Sequence, residues 1–422
     1  MENKFESIKG YKVIKDELNL FIDIFGNSKK YKEIGVYTPR GVMFVGVPGT
    51  GKTTMAMALI NASNRKSYVI KKCYSNKEFI NKIKNTFEQA RENAPSIVLL
   101  DDFDKFSNTG TSNKNSDEFV CVQTEIDKCK DYEVFVIATV NKINSLPSSL
   151  LRTGRFDKIL NISTPNLLDS REIIKYYLSK KKNIGNVDCD LIANMMKGKS
   201  CSDLKTIVNE AGIIAAYNNK LTIDTEDVIK AFLKIVFKSY KGNERYSETF
   251  RRQISYHEAG HALLAELFYD GSVDFVSTLY CSDDKYAVTS LNVNYLCYNE
   301  EVYKRSIMIS LGGKAAVEVM TGIIDTMCSG DLEEAFKKAS SFVDFNGGLG
   351  FDKCYWYTDG ERMRDEKATV VSNLLDELYL QAKKKLIQYR DVLEQIVNLL
   401  MSKDFVLGSE IRNLIKGENK CN

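Results

Sequence analysis

Apolar and polar positions along this chain follow two periods, and the changes of period divide it into parts. Over residues 11–26, Val13, Ile14, Leu18, Phe21, Ile22 and Phe25 recur at helical spacing, and the pattern stops at Gly26. A short apolar run, Arg40-Gly41-Val42-Met43-Phe44-Val45, reads as a buried strand, and a helical stretch from Thr54 to Ile60 follows it closely. Ser96–Leu100 and Val134–Thr139 predict two more buried strands. Strands alternating with helical stretches imply a largely parallel sheet covered on both faces. Residues 166–240 read as helices, clearest over Arg171–Lys180, Leu204–Tyr217 and Thr225–Phe237. The last of these opens on Thr225-Glu226-Asp227, acidic where the helix dipole favours it. The polar, glycine-containing stretch Lys238–Glu244 reads as a linker. Beyond it the clearest pattern is helical again, through 366–402 and on to Gly408-Ser409-Glu410-Ile411-Arg412.

Composition bounds the class. A chain of 422 residues has room for two or three domains with cores of their own. Its 44% apolar and 27% charged residues are ordinary for a soluble globular protein. Lys+Arg 59 against Asp+Glu 56 leaves +3, too little to argue for nucleic acid or an anionic membrane as partner. Ten scattered cysteines contain no C-x-x-C pair, which excludes a zinc ribbon and a disulfide framework and leaves buried, reduced thiols. No apolar run approaches the roughly eighteen residues of a membrane helix. The start, Met1–Glu6, lacks the apolar core of a signal peptide. The expectation is a soluble, cytoplasmic protein without membrane insertion.

The first apolar strand runs straight into Gly46-Val47-Pro48-Gly49-Thr50-Gly51-Lys52-Thr53, a G-x-x-x-x-G-K-[ST] phosphate loop with a strand before it and a helix after. Its glycines let backbone N–H groups curl round phosphates, Lys52 reaches the β- and γ-phosphates, and the Thr53 hydroxyl takes a Mg²⁺ position. Such a loop calls for a second strand ending in acid for the Mg²⁺. Asp101 supplies it, and Asp102 is the candidate to polarise the attacking water. Asn141, after the Val134–Thr139 strand, is placed to sense a γ-phosphate.

Only two histidines occur in the chain, and both lie in Ser255-Tyr256-His257-Glu258-Ala259-Gly260-His261. At i and i+4 on a helix, His257 and His261 share a face and can point at one metal ion. Glu258, about 100° round the axis, can reach a water activated by that metal without being a ligand. This is the H-E-x-x-H arrangement of a zinc peptidase. A catalytic zinc takes three protein ligands, so with no third histidine the remaining one is Asp, Glu or Cys.

Gly46–Thr53, Asp101–Asp104, Asn141 and Leu150–Asp157 together resemble an AAA+ ATPase module. Joined to the downstream H-E-x-x-H, they resemble the FtsH family of ATP-dependent zinc metalloproteases over nearly the whole chain, from Phe5 to about Ile415. The resemblance implies an α/β AAA+ core over 1–165, a helical lid over 166–240 and a mainly α-helical zinc metallopeptidase domain over 245–422. It also implies ATP with Mg²⁺, Zn²⁺, protein substrates and a homohexameric ring. Within that frame Ile8-Lys9-Gly10 lies near the adenine and Asn141 is the sensor. Arg152 and Arg155 match arginine fingers acting on the neighbouring subunit's nucleotide. Asp331, in Ser329-Gly330-Asp331-Leu332, matches the family's third zinc ligand; Glu333 and Glu334 are the alternatives, and Glu318 is a candidate to orient a ligand.

Three departures from the family accompany the match. Asp102 stands where the family has glutamate, so the water-positioning carboxylate is one methylene shorter. The family's aromatic–hydrophobic–glycine pore loop has no counterpart, since Gly51 and Gly110 have no glycine between them; Tyr74 and Phe79 are replacements or core packing. The membrane anchor that precedes the ATPase in typical members is expected to be absent.

Overall fold

A computed structural model describes residues 5–72, 76–107, 116–152, 154–238, 247–279, 287–292, 299–347, 350 and 361–418. Tyr74 and most of the expected linker lie outside the described residues. Two compact units divide the chain, residues 1–229 and 230–422.

The first unit begins with helices α1 (Lys12–Gly26) and α2 (Ser28–Glu33). Then come β1 (Gly41–Val45), α3 (Lys52–Ser63), β2 (Lys66–Ile70), α4 (Asn76–Glu92), β3 (Ser96–Leu100), α5 (Asp117–Lys128), β4 (Val134–Val140) and β5 (Lys158–Asn161). The strands form one parallel sheet in the order β2-β3-β4-β1-β5. β1, β3 and β4 are buried along their whole length, which is why their sequences are continuous apolar runs without alternation. Phe79, Phe87, Phe103, Phe106 and Phe119 fill a core against the sheet. On α1, Phe21 and Phe25 pack on Phe135 of β4 at ring separations of 5.4 and 4.8 Å.

Register decides where the chemistry emerges. Val45 of β1 pairs with Val140 of β4, and Leu100 of β3 pairs with Ala138. Gly46, Asp101 and Asn141 therefore leave the sheet at the same carboxyl edge, the place where open parallel sheets bind ligands. Gly49 and Gly51 carry φ of +82° and +93°, left-handed values that favour glycine.

The helices α6 (Leu167–Ser179), α7 (Cys189–Met195), α8 (Cys201–Tyr217) and α9 (Thr225–Val236) follow. Ser200 caps α8 through a capping box with Asp203. The Ser202 N–H donates to the Gly49 carbonyl at 3.0 Å, so α8 begins directly on the phosphate loop.

In the second unit α10 (Glu248–Phe268) leads to β6 (Val273–Ser277), β7 (Val288–Leu291), α11 (Glu300–Thr321), α12 (Ser329–Asp344), α13 (Glu361–Gln388), α14 (Arg390–Ser402), β8 (Phe405–Leu407) and α15 (Gly408–Glu418). Helices α10 and α11 cross where Gly260 meets Gly312. A Cβ on Gly260 would lie 2.3 Å from the Gly312 carbonyl oxygen, closer than any real contact. The core around this crossing is Ala259, Leu263, Ala316, Leu378 and Ile396. The strands form a small antiparallel sheet, β7-β6-β8, in an otherwise helical unit. No helix among the described residues is long and apolar enough to cross a membrane.

Asp274, the second residue of β6, is buried, 4% exposed. Burial pushes its pKa up from 3.8 to about 6 and Glu266 of α10 adds repulsion, against which Ser290 of β7 and Arg412 of α15 pull only partly. The native state then holds an extra proton between about pH 4 and pH 6, and stability falls as pH rises through that window. Asp274→Asn removes this penalty. Up to about 3 kcal/mol of added stability is expected at pH 7, and none below pH 4. Denaturant unfolding at the two pH values checks it; an equal gain at both contradicts the assignment.

Candidate active sites

At the carboxyl edge of the parallel sheet a cavity of about 670 Å³ is lined by Lys52, Thr53, Asp102, Asp104, Lys105 and Asn141, among others. Lys52 is buried, and its ammonium donates to the Gly46 and Val47 carbonyls at 2.7 and 2.9 Å. Burial pulls its pKa down. Asp101 accepts from the hydroxyls of Thr53 at 2.8 Å and Thr139 at 2.9 Å. Lys71 reaches the other carboxylate oxygen at 3.0 Å. Burial pushes the Asp101 pKa up, but these three donors outweigh it and hold the carboxyl below its usual range. Asp104 accepts from the Asn141 N–H at 3.1 Å. Ile8 and Lys9 line a smaller cavity of about 80 Å³ together with Tyr11, Thr50, Met55 and Tyr176.

Sequence reasoning missed the company Asp102 keeps. The residue has φ of +55°, and its carboxylate lies 2.9 Å from Lys105 and 3.8 Å from Lys71. Two ammonium groups thus contact the carboxylate proposed to polarise water. Arg155 spends its guanidinium on Asp127, at 3.0 and 2.7 Å, and on the Ser149 carbonyl; Arg152 is exposed. Neither is among the residues lining the larger cavity. Phe79 is fully buried, edge-on to Phe106 at 4.9 Å, so it packs the core.

In the second unit α10 does what the i, i+4 spacing predicts. His257 and His261 present their Nε2 atoms to each other at 3.1 Å. Asp331, in the first turn of α12, brings one oxygen to 3.0 Å from His257 Nε2 and 3.6 Å from His261 Nε2. Zinc bonds of about 2.0–2.1 Å in a tetrahedron separate the ligand atoms by about 3.3 Å. The three distances match those edges, and the donor set suits zinc. The outer nitrogens are also accounted for. His261 Nδ1 lies 2.7 Å from the Ile309 carbonyl, which can only accept, so Nδ1 carries the proton and Nε2 keeps its lone pair. His257 Nδ1 lies 2.7 Å from the carboxylate of Asp325.

The electrostatics favour a cation here. Burial disfavours a charged His257, yet Asp325 and Asp331 outweigh it and raise its pKa to about 10. Burial also opposes ionisation of Asp331, but the two imidazoles hold it far below the usual carboxylate range. The alternatives turn elsewhere. Glu333 and Glu334 pair with Lys337 and Lys338, while Glu318 pairs with Lys383 and Tyr379 of α13. Glu258 accepts from the Thr289 hydroxyl of β7 at 2.5 Å.

Gly313 of α11 makes room for the imidazoles, since a Cβ there would lie 2.5 Å from His261 Nε2 and 2.6 Å from His257 Nε2. Gly313→Ala is expected to force the rings apart and weaken zinc binding by roughly tenfold or more. Chelator competition measures this, and wild-type affinity would contradict the packing.

Residues 42–164 match the family described as ATPase family associated with various cellular activities (AAA). The relatives extend the likeness into the second unit. The chain is 28% identical over 428 residues to ATP-dependent zinc metalloprotease FtsH 2 of Thermoanaerobacter sp. (strain X514), covering 98% of this chain and 83% of the relative. It is 29% identical over 446 residues to ATP-dependent zinc metalloprotease FtsH of Leptotrichia buccalis, covering 98% and 57%. For ATP-dependent zinc metalloprotease FtsH 3 of Synechocystis sp. the figures are 28% over 461 residues, covering 98% and 73%. The parallel sheet and phosphate loop are thus those of an AAA ATPase. With the helical unit that follows it, the chain is similar to ATP-dependent zinc metalloproteases named FtsH over 98% of its length.

Proposed function

We propose that the chain is an ATP-dependent zinc metalloendopeptidase, hydrolysing ATP to unfold or translocate protein substrates and cleaving their peptide bonds. The observation that carries this reading is the convergence of His257, His261 and Asp331 in a chain that also holds a phosphate loop. The domains are an AAA+ core over 1–165, a lid over 166–240 and a peptidase over 245–422. His257, His261 and Asp331 hold zinc. Bound there, zinc polarises the scissile carbonyl and acidifies the attacking water. Glu258 takes the water's proton and passes it to the leaving amine. The Thr289 hydroxyl fixes the carboxylate that does so.

At the nucleotide, the backbone of Gly46–Thr53 cradles the phosphates and Lys52 turns from the loop carbonyls to the β- and γ-oxygens. Thr53 and Asp101 hold Mg²⁺, Asp102 orients the attacking water and Asn141 senses the γ-phosphate. Arg152 and Arg155 act on a neighbour's nucleotide in a homohexameric ring, which works in the cytoplasm. For Arg155 this requires release from Asp127.

One observation favours a second reading. With Asp102 held by Lys71 and Lys105, hydrolysis is slow, and nucleotide binding chiefly stabilises the ring of a peptidase for unfolded or short substrates. Cleavage of a folded and an unfolded protein, each with ATP and with a non-hydrolysable analogue, separates the two. The leading reading expects cleavage of the folded substrate to need hydrolysable ATP. Cleavage of the unfolded substrate alone, at equal rates with both nucleotides, would favour the second.

A further inference from the structure

Asp325 follows α11, in the segment that leads to α12, and its side chain is fully buried. Burying a carboxylate costs several kcal/mol unless it is paired and hydrogen-bonded, so its partners indicate its use. One oxygen, Oδ2, lies 2.7 Å from His257 Nδ1. The other accepts from the Met327 N–H at 3.0 Å and from the Gln253 side-chain amide at 3.5 Å. Gln253 and His257 stand four apart on α10, so this one carboxylate spans a full turn of the helix that carries the imidazoles. It is held by its own turn on one side and by α10 on the other.

His257 has a carboxylate at each end. Asp331 lies 3.0 Å from Nε2 and Asp325 lies 2.7 Å from Nδ1. The neutral imidazole has one proton to give. If it sits on Nε2, His257 donates to Asp331, and both lose the lone pairs that would face a metal. If it sits on Nδ1, both remain available. His261 has no such ambiguity, because the Ile309 carbonyl can only accept.

We propose that Asp325 is a positioning residue that keeps the proton of His257 on Nδ1 and turns the Nε2 lone pair toward His261 and Asp331. The proposal rests on the reading of these three as zinc ligands. An anionic acceptor also makes the opposite nitrogen a stronger donor, as in carboxylate–histidine–zinc arrangements. His257 is therefore the better electron donor of the two histidines, since the partner of His261 is a neutral carbonyl.

The test uses the purified full chain, with zinc affinity read by competition with a chromogenic chelator. Asp325→Ala is expected to weaken zinc binding roughly 10- to 100-fold. Asp325→Asn keeps the shape and an acceptor oxygen but not the charge, and is expected to weaken it by roughly tenfold. A second readout is the ¹H–¹⁵N imidazole correlation of the zinc-loaded protein, which holds only two histidines. The Nδ1–H signal of one ring is expected to shift or vanish by exchange in Asp325→Ala while the other stays. His257→Ala is the control for the ligand reading itself. If it binds zinc as wild type does, that reading fails. If it weakens zinc while Asp325→Asn and Asp325→Ala keep wild-type affinity and an unchanged imidazole spectrum, the positioning role is overturned and the ligand reading stands. Should Asp325→Ala not fold, wild-type affinity in Asp325→Asn overturns it alone.

Discussion

Glu258→Gln is expected to lower peptide-bond hydrolysis by about 10²- to 10⁴-fold while leaving zinc content unchanged. Glutamine keeps the size of the side chain and can still contact the Thr289 hydroxyl, but it has no basic oxygen to take a proton from water. His257, His261 and Asp331 do not depend on Glu258 for their geometry, since His257 leans on Asp325, His261 on Ile309, and Asp331 on both imidazoles. Retained metal with lost turnover is therefore the signature of a general base. Turnover of an unfolded protein, read beside zinc content, checks it. Loss of zinc would move Glu258 into the ligand set, and unchanged turnover would remove it from the mechanism.

Lys52→Ala is expected to weaken ATP binding on the order of 100-fold or more. The ammonium is buried and held by two loop carbonyls, positioned where phosphate oxygens would replace them. Each charge-assisted hydrogen bond contributes about 1.5–3 kcal/mol, so two account for at least two decades of affinity. Titration with a fluorescent ATP analogue reads the change directly. Unchanged affinity would refute the phosphate-loop assignment, while zinc content should be the same in both proteins.

What could be read in the sequence was chemistry carried by fixed local spacing. His257 and His261 needed only a helix to meet, and the phosphate loop needed only a strand before it and a helix after it. The strands β1, β3 and β4 were legible because burial on both faces demands an unbroken apolar run. Asp331 is 70 residues beyond His261, and nothing in its own neighbourhood separates it from a carboxylate at a helix start; the family resemblance supplied it. Asp325 had no local signal at all, because its role depends on a fold that brings the end of α11 back to α10. The small sheet was hidden for another reason. β6 reads Val273-Asp274-Phe275-Val276-Ser277, and a carboxylate in a fully buried strand breaks the expected pattern. Nothing in the sequence around Lys71 and Lys105 marks their contacts to Asp101 and Asp102. Phe79 illustrates the reverse. Its sequence left pore residue and core packing both open, and the amphipathic period of α4 turns it inward, into the core.

The most direct measurement of the central claim is cleavage of an unfolded protein by the purified chain with ATP, before zinc is stripped by a chelator, after stripping, and after zinc is restored. The account predicts cleavage, its loss and its recovery, with one zinc per chain bound at His257, His261 and Asp331. Cleavage that persists at the full rate in the stripped protein would contradict it.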